Sequence, residues 1–323
     1  MSQERATYVG AGVDIAAYAR MLEQVRPMIE ATQGAGVVTG VGPFAGLFEL
    51  PGGGGFLAAS ADGVGTKIKV AVAANDHSGI GLDLVNHCVN DIATAGARPL
   101  FFLDYFASGR LDPEVFHQVI SGLTEACRDN SCALLGGETA ELPGVYGLGD
   151  YDLAGFVVGF VEPDRRVEPV RAGDRLVGLP SSGLHSNGFS LVRQIFAQVS
   201  LEHVYPELAR PLKEELLVPH RSYLKELQAL SWKTAAHITG GGILDNLPRA
   251  LPPGLAAQID LSSWTVPPIF KLIQDLGQVG QEEMFRTFNM GLGMILVTDQ
   301  VPSGFSVVGR VVEADDRPRI RLG

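Results

Sequence analysis

Short glycine-rich loops constrain the fold of this 323-residue chain more than any other feature of its sequence. The chain contains 40 glycines, and many of them lie in loops directly before or after a predicted strand. Predicted strands and helices alternate along the sequence, but several predicted strands are also consecutive. This mixture favours an α+β fold over a single doubly wound parallel sheet, and the length suits two domains.

A charged segment with two prolines, residues 162–169, is the best candidate for a boundary between domains. Exposed linkers are commonly rich in proline and polar residues, because few contacts cross them. We therefore predict an N-terminal domain of residues 1–165 and a C-terminal domain of residues 166–323.

The distribution of charge excludes several classes of function. The net charge is −11, and lysine and arginine form no cluster, so binding to nucleic acid is not expected. No apolar run is long enough to span a bilayer, and charged residues interrupt the beginning of the chain. We expect a cytoplasmic protein without a membrane partner, whose cysteines stay reduced.

Periodicity predicts the helices and strands that carry the candidate motifs. A helix is expected over residues 13–33, kinked or split at Pro27. Asp112 followed by Pro113 indicates the start of another helix, with Asp112 as its N-cap. Further helices are expected over residues 79–97 and 187–198, and the last strand over residues 305–312.

One short loop combines groups that suit both phosphate and a metal ion. A strand is predicted to run directly into Asp62, whose carboxylate is a hard oxygen donor of the kind that Mg²⁺ prefers. Gly63 and Gly65 allow the backbone to approach a ligand closely, while Thr66 and Lys67 offer a hydroxyl and a mobile positive charge. The alternative is an ordinary strand-to-helix turn with a solvated lysine.

The predicted helix over residues 79–97 has an unusual polar face. Its apolar arc is broad, whereas the opposite side carries short acids, amides and a histidine instead of lysine, arginine or glutamate. Short side chains bring ligating oxygens close to the backbone, so this face is predicted to line a site. The alternative is a partly buried structural helix whose polar groups are satisfied. The polar face consists of Asp83, His87, Asn90, Asp91 and Thr94.

Three further segments carry polar groups beside glycine. Residues 136–141 include Glu138 and Thr139, and residues 237–242 include three consecutive glycines, which either ligand approach or a tight turn would explain. Residues 181–188 precede a predicted helix whose N-terminus could hold an anion. Simple glycine turns and a well-capped helix are the alternatives.

Taken in this order, these segments closely resemble the phosphoribosylformylglycinamidine cyclo-ligase family, also called AIR synthetases. Each motif is shared with relatives of the superfamily, but the full set is specific and spans nearly the whole chain. Two departures stand out: Pro43 interrupts a glycine-rich stretch, and Met290 stands where the family often has cysteine, which argues against a catalytic thiol there. The matching segments are 11–14, 62–67, 81–85, 89–91, 99–105, 136–144, 181–193, 237–242 and 287–294.

The resemblance implies that formylglycinamidine ribonucleotide and ATP are converted to aminoimidazole ribonucleotide, ADP and phosphate, with Mg²⁺. It also implies a homodimer whose N-terminal domains contribute strands to a joint β-barrel, each followed by a mixed α+β C-terminal domain. A formamide oxygen is a poor leaving group, and its phosphorylation by ATP would let the amidine-derived nitrogen close the five-membered ring. Positioning and charge neutralisation would then supply most of the catalysis.

Expected roles for individual residues follow from the same resemblance. Asp62 and Asp91 are expected to bind Mg²⁺, assisted by Asp83 or Glu138. Residues Lys67, His185 and Asn187 are expected to be catalytic, with His185, Ser186, Asn187 and the Thr239 loop meeting the substrate phosphate or the reacting amide. The expected nucleotide-binding residues are Asp62, Gly63, Gly65, Thr66, Lys67, Asn90, Glu138, Thr139, Ser186, Thr239, Gly240 and Gly241.

Two other functions remain as alternatives. Another small-molecule kinase of the superfamily, such as thiamine-monophosphate kinase, would match fewer of the motifs. A catalytically silent nucleotide-binding scaffold would not need Asp62, Lys67 and Asp91, all of which are present.

Overall fold

The computed structural model describes residues 6–163 and 168–323. The predicted domain boundary at 162–169 therefore lies partly outside the described residues. On either side of it, the described residues form two six-stranded sheets. The prediction of a mixed α+β fold is confirmed at this level.

The N-terminal sheet is mostly antiparallel and has the strand order β1-β2-β3-β6-β4-β5. Among the described strands of this sheet, only the neighbours β4 and β5 run parallel. Helices α3 and α4 cover one face, and the apolar arc of α3 packs against residues such as Phe102 and Val157 in the buried core. The elements are α1 (Ile15–Glu30), β1 (Val37–Thr39), β2 (Gly46–Glu49), β3 (Phe56–Gly63), α2 (Lys67–Ala74), α3 (Ile80–Thr94), β4 (Arg98–Ser108), α4 (Pro113–Asp129), β5 (Ala133–Glu141) and β6 (Tyr151–Val161).

The C-terminal sheet has the strand order β12-β9-β11-β7-β10-β8. Strand β10, between β7 and the edge strand β8, is buried along its whole length, so the sheet is covered on both faces there. The elements are β7 (Arg175–Pro180), α5 (Phe189–Ile195), α6 (Leu212–Leu216), α7 (Leu224–Ala229), β8 (Thr234–His237), α8 (Gly242–Ala250), β9 (Leu255–Ile259), α9 (Pro268–Gly277), α10 (Gln281–Thr287), β10 (Leu292–Thr298), β11 (Ser306–Glu313) and β12 (Ile320–Leu322).

Of two predictions about helices, one is confirmed and one is wrong. Asp112 caps α4 as predicted, because its Oδ1 accepts hydrogen bonds from the backbone N–H groups of Glu114 and Val115. Pro27 lies inside the single helix α1, so the expected split is wrong; α1 has no buried residues, and water can satisfy the carbonyl that proline leaves without a donor.

The predicted secondary structure is wrong in two segments, because the deciding strand pairing is not visible in the local sequence. Residues 136–141 continue strand β5 rather than forming a loop, because β4 supplies a partner for the backbone as far as Glu141. The strand at 306–313 is not the last, since the three-residue strand β12 follows and pairs in parallel with β9. A strand so short has almost no sequence pattern of its own.

Helix α3 joins the two halves of the molecule. Its apolar side packs on the N-terminal sheet, and Gly81 allows α4 to approach so closely that an added Cβ would lie 2.3 Å from the Leu123 nitrogen. Its polar side bonds to backbone groups of the C-terminal half: Asn86 donates to the carbonyl of His220 at 2.7 Å. The polar face predicted from the sequence is therefore a buried face between two domains.

Candidate active site between the two domains

A cavity of about 730 Å³ lies between α1, the end of β3, the segment at 41–44 and the loop that follows β8. Asp62 and Asp91, two of the carboxylates that the sequence analysis placed at a metal, both line it, and so do Thr239 and Gly240. The other lining residues are Tyr8, Val13, Asp14, Ile15, Tyr18, Leu22, Val41, Gly42, Pro43, Phe44, Ser60, Ala61, Asp245, Asn246 and Arg249.

Asp62 is held at the end of β3 by the pairing of that strand with β6, which continues to Gly63. Its Oδ2 lies 2.7 Å from Nε2 of His87, and its Oδ1 accepts a hydrogen bond from the Gly63 N–H. Burial opposes the charged forms of both groups, but the attraction between them prevails: it lowers the pKa of Asp62 to about 2 and raises the pKa of His87 to about 9. The Asp62 carboxylate is 43% exposed, so a ligand in the cavity can reach it.

Asp91 reaches the same cavity from the buried helix α3. The Ser60 hydroxyl donates to its Oδ2 at 3.0 Å, and Nδ1 of His237 lies 2.8 Å from its Oδ1. His237 ends strand β8 in the other domain, so the cavity is built by both halves of the chain. Burial lowers the pKa of His237, although Asp91 opposes that shift.

Four buried histidines converge behind these carboxylates: His87, His185, His220 and His237. The rings of His185 and His220 stack with their centroids 3.9 Å apart, and Nε2 of His220 lies 3.0 Å from Nε2 of His237. Burial, together with the neighbouring charges, lowers the pKa of both His185 and His220 well below the ordinary value. His87, His185 and His237 belong to segments that the sequence analysis singled out before the family resemblance; His220 has no motif around it.

Lys67 is not on the cavity wall. As the first residue of α2 it points inward, where its Nζ lies 2.8 Å from the Asp83 carboxylate and donates to the carbonyl of Val218 at 2.8 Å. Both side chains of the ion pair are completely buried. Burial lowers the pKa of Lys67 and raises that of Asp83, and their mutual attraction opposes both shifts. This position does not suit the phosphate contact expected of Lys67 or the metal contact expected of Asp83.

Asn90 has a structural position as well. Its Oδ1 accepts from the Tyr223 N–H, and its Nδ2 donates to the carbonyl of Arg221 and lies 3.2 Å from Nε2 of His220. The side chain is fully buried, so the expected contact with ATP phosphates finds no support in its location. Its amide instead fixes the segment that carries His220.

Glu138 and Thr139 are not brought to the cavity. They lie on β5, at the edge of the N-terminal sheet, and both are exposed. Gly63 and Gly65 remain close to Asp62 in the chain, and Gly65 adopts a positive φ of 66°. The Thr66 hydroxyl lies 3.1 Å from that of Ser190, so it contacts the C-terminal domain.

The loop after β8 meets the segment that precedes α5. Asn246 organises this loop by donating to the carbonyls of Thr239 and Gly240, and Gly241 turns the chain with a φ of 98°. Asn187 lies against Gly240, and its buried Nδ2 has no hydrogen-bond partner. An unpaired buried donor of this kind is available to a ligand.

Ser186 lies between His220 and His87. Its Oγ lies 3.2 Å from Nδ1 of His220 and 3.4 Å from Nδ1 of His87. His185 adopts an unusual φ of 61°, which turns its ring into the protein, and the Ser182 N–H donates to its Nε2. His87 contacts Asp62, and His220 contacts His237, which in turn contacts Asp91. Ser186 and His185 therefore lie close to both carboxylates.

Sequence reasoning missed Arg249. Its guanidinium donates to the carbonyls of Gly42 and Pro43 and stacks over the Phe44 ring at 3.9 Å. It also donates to Oδ1 of Asn246. Arg249 thus ties the proline-interrupted segment to the loop after β8, and a lone cation outside the recognised motifs gave no signal for this role.

Comparisons with known proteins agree with this two-part architecture. The model of the AIR synthase related protein N-terminal domain matches residues 42–161, and that of the C-terminal domain matches residues 171–316. The chain belongs to the AIR synthase related protein family. The resemblance found in the sequence is therefore confirmed.

Two similar relatives carry the same name. The chain is 50% identical over 332 aligned positions to the phosphoribosylformylglycinamidine cyclo-ligase of Myxococcus xanthus (strain DK1622), covering 98% of this chain and 96% of the relative. It is 48% identical to the enzyme of the same name from Thermoanaerobacter sp. (strain X514), with 90% of each chain covered.

Solved structures show the same fold at low sequence identity. A structure described as AaThiL complexed with AMPPCP and TMP has a TM-score of 0.67 at 17% identity and covers 94% of both chains. A thiamine-monophosphate kinase from Stenotrophomonas maltophilia K279a has a TM-score of 0.60 at 17% identity, with 94% of this chain and 95% of that chain covered. Within the part of the chain that the structure describes, no helix is long and apolar enough to cross a membrane.

Proposed function

We propose that this family member catalyses the ATP-dependent closure of formylglycinamidine ribonucleotide to aminoimidazole ribonucleotide, with release of ADP and phosphate. The observation that carries the proposal is the 45–50% identity to cyclo-ligases over at least 90% of the chain. The shared cavity between the two domains, lined by Asp62, Asp91 and the loop after β8, supplies a place for the reaction. The proposed activity is the one that the family resemblance in the sequence implied.

Asp62 and Asp91 are the residues that would hold Mg²⁺. Mg²⁺ commonly takes one or two protein carboxylates and completes its shell with water and nucleotide phosphates. Two carboxylates on the wall of one open cavity fit that requirement, whereas the buried Asp83 does not. When bound, the ion would neutralise charge on the phosphates of ATP.

The residues of the chain position the reactants around this pair of carboxylates. Gly65, Gly240 and Gly241 offer backbone N–H groups near the cavity without side chains in the way, and the Gly63 N–H holds the Asp62 carboxylate. Arg249 holds the segment at 42–44 in place as one wall. His87, cationic over the ordinary pH range, adds a positive charge behind Asp62.

The amide-bearing end of the substrate belongs near Asn187. The unpaired Nδ2 of Asn187 can donate to the formyl oxygen or to a substrate phosphate, and Ser186 is the preceding residue in the chain. Phosphorylation of the formyl oxygen converts it into a phosphate leaving group, and attack by the amidine-derived nitrogen then closes the ring. Orientation of the two reacting groups is the main contribution that these side chains make.

A homodimer is part of the proposal. The face of the N-terminal sheet opposite α3 and α4 exposes large apolar side chains, and Leu103 of β4 lies beside Phe156 of β6 in the sheet register. Exposed apolar surface of this extent marks an interaction site in a soluble chain. A second copy that covers this face would form the joint barrel, with Glu138 and Thr139 on its edge strand. The exposed side chains are Val38, Phe48, Leu103, Tyr105, Leu135 and Phe156.

A direct assay tests the activity. Purified full-length protein is incubated with ATP, Mg²⁺ and formylglycinamidine ribonucleotide, and ADP and aminoimidazole ribonucleotide are measured. Stoichiometric formation of both supports the proposal, and their absence from a folded preparation would refute it. Thiamine monophosphate in place of the ribonucleotide checks the kinase alternative, which only the shared fold supports.

We also propose that the reaction takes place in the cytoplasm.

A further inference from the structure

The contact between Asp91 and His237 is unusual once the ring protons are assigned. The Tyr223 N–H donates to Oδ1 of Asn90, so the other end of that amide is the NH₂ group. This group donates to the carbonyl of Arg221 and points at Nε2 of His220 from 3.2 Å. Nε2 of His220 is therefore an acceptor, and the proton of that ring lies on Nδ1, facing the Ser186 hydroxyl at 3.2 Å.

The same assignment fixes the neighbouring ring. Nε2 of His237 lies 3.0 Å from the accepting Nε2 of His220, so it is the donor of that pair. A neutral His237 then has a bare Nδ1, and this atom lies 2.8 Å from Oδ1 of Asp91. Two lone pairs at this separation repel each other unless a positive ion lies between them, and either a ring proton or a metal ion can take that place.

A third ligand lies within reach. One donor atom each from His87, Asp91 and His237 lie within 4.8 Å of one another, and all three residues are buried. Metal–nitrogen bonds of about 2.0–2.1 Å place neighbouring ligands of one ion about 3 Å apart. The Asp91–His237 pair already has that spacing, and His87 offers a third ligand atom within 4.8 Å of the other two, at the expense of its contact with Asp62.

We infer that His87, Asp91 and His237 form a binding site for a divalent transition-metal ion of the Zn²⁺, Co²⁺ and Ni²⁺ class. Two imidazole nitrogens and one carboxylate oxygen suit these ions, whereas Mg²⁺ prefers oxygen ligands. The ion enters from the cavity, because Asp91 forms part of its wall. Binding through His87 releases the proton of that ring to solvent.

The surroundings support this assignment. Metal-binding histidines normally donate their second ring N–H to a fixed acceptor, and His220 provides that acceptor for His237. The Ser60 hydroxyl occupies the second oxygen of Asp91 and leaves Oδ1 for the ion. The inference does not depend on the proposed reaction, although an ion here would share Asp91 with Mg²⁺ and compete with the Mg²⁺–ATP complex.

Cobalt titration of the full-length, chelator-treated and nucleotide-free protein tests the site. We expect one equivalent of Co²⁺ to bind, with visible absorption bands of nitrogen and oxygen coordination and without thiolate charge-transfer absorption in the near ultraviolet. His237→Asn and His87→Asn each remove a ligand, so the affinity should fall by more than the roughly 10- to 100-fold typical of outer-sphere changes. His203→Asn, which alters an exposed histidine, is the matched control and should bind like the wild type.

Several outcomes would overturn the inference. The first is that the wild type binds less than one equivalent of Co²⁺. The second is that the bound Co²⁺ shows strong thiolate absorption. The third is that both histidine variants bind Co²⁺ as tightly as the wild type. Circular dichroism checks that each variant is folded; if His237→Asn is not, His87→Asn and Asp91→Asn decide. Turnover with Mg²⁺ and ATP is measured in parallel on the wild type. Turnover without Co²⁺ binding refutes only this site, and Co²⁺ binding without turnover refutes only the proposed function.

Discussion

The ammonium nitrogen of Lys67 lies 2.8 Å from the carboxylate of Asp83, and neither side chain has any exposed surface. The pair joins α2 to α3, and the additional bond to the carbonyl of Val218 extends it into the C-terminal half. A lysine that looked like a mobile phosphate ligand in the sequence is thus part of the junction between domains.

Lys67→Met should therefore destabilise the protein rather than weaken ATP binding alone. Loss of one partner leaves a buried charge uncompensated, which costs about 3–5 kcal/mol of unfolding free energy. Denaturant unfolding measures the loss, and the double variant Lys67→Met/Asp83→Leu should recover much of it. Full stability of Lys67→Met together with a raised KM for ATP would restore the phosphate-binding role.

The pair formed by Asp62 and His87 should make stability depend on pH. The pKa of His87 is about 9 in the folded protein and near 6.5 when unfolded, so its contribution is complete below about pH 6.5 and is lost as the pH rises towards 9. Asp62, with its pKa lowered to about 2, contributes above about pH 4 and loses that contribution as the pH falls towards 2. Unfolding of metal-free protein between pH 6 and 10 checks the alkaline limb, which should flatten in Asp62→Asn. An equal slope in the two proteins would contradict the assignment.

Arg249→Met should raise the KM for ATP about tenfold or more, with a smaller effect on kcat. Charge-assisted hydrogen bonds contribute about 1.5–3 kcal/mol each, and 1.4 kcal/mol corresponds to tenfold in affinity. The variant frees the segment at 42–44 from the loop after β8. Steady-state kinetics with varied ATP give the answer, and Arg310→Met, on an exposed strand position, is the control. An unchanged KM would remove Arg249 from the nucleotide site.

Leu103→Glu should convert a dimer into monomers. The substitution places a charge in the middle of the exposed apolar face, beside Phe156, where a partner copy would have to desolvate it. Light scattering after size-exclusion chromatography measures the mass. Val204→Glu, an exposed apolar position in the other domain, should leave the mass unchanged. A wild type that is already monomeric would refute the proposed dimer.

Gly81→Ala should destabilise the fold through the contact between α3 and α4. The added methyl carbon would lie 2.3 Å from both the Leu123 nitrogen and the Val119 oxygen, so the helices must separate. Such overpacking costs about 1–3 kcal/mol, occasionally more. Gly34→Ala, where an added Cβ meets no atom within 4 Å, should be nearly neutral in the same unfolding experiment. Similar stabilities for the two variants would show that the helices can adapt.

The sequence predicted the parts of the site that have local patterns. Asp62 at the end of a strand and Asp91 on an oddly polar helix were both identified, and both line the cavity. The cap at Asp112 was also correct, because capping depends only on the next few residues.

Other features could not be read from the sequence, for physical reasons. The direction in which Lys67 points depends on a partner 16 positions away, and the residue types of a loop do not reveal it. His220 has no surrounding motif, and its importance comes from rings that other segments bring to it. Arg249 likewise acts on backbone carbonyls more than 200 positions earlier in the chain.

The bonds between α3 and the segment around His220 have a consequence for synthesis on the ribosome. Asp83, Asn86 and Asn90 each bond to a backbone group 133 to 137 residues later in the chain. At translation rates of about 5–20 residues per second, the nascent helix waits on the order of ten seconds before those partners emerge. A face of acids and amides can spend that interval hydrated, whereas an apolar face would be open to aggregation. The polar character of this buried surface thus protects the first half of the protein until the second half is made.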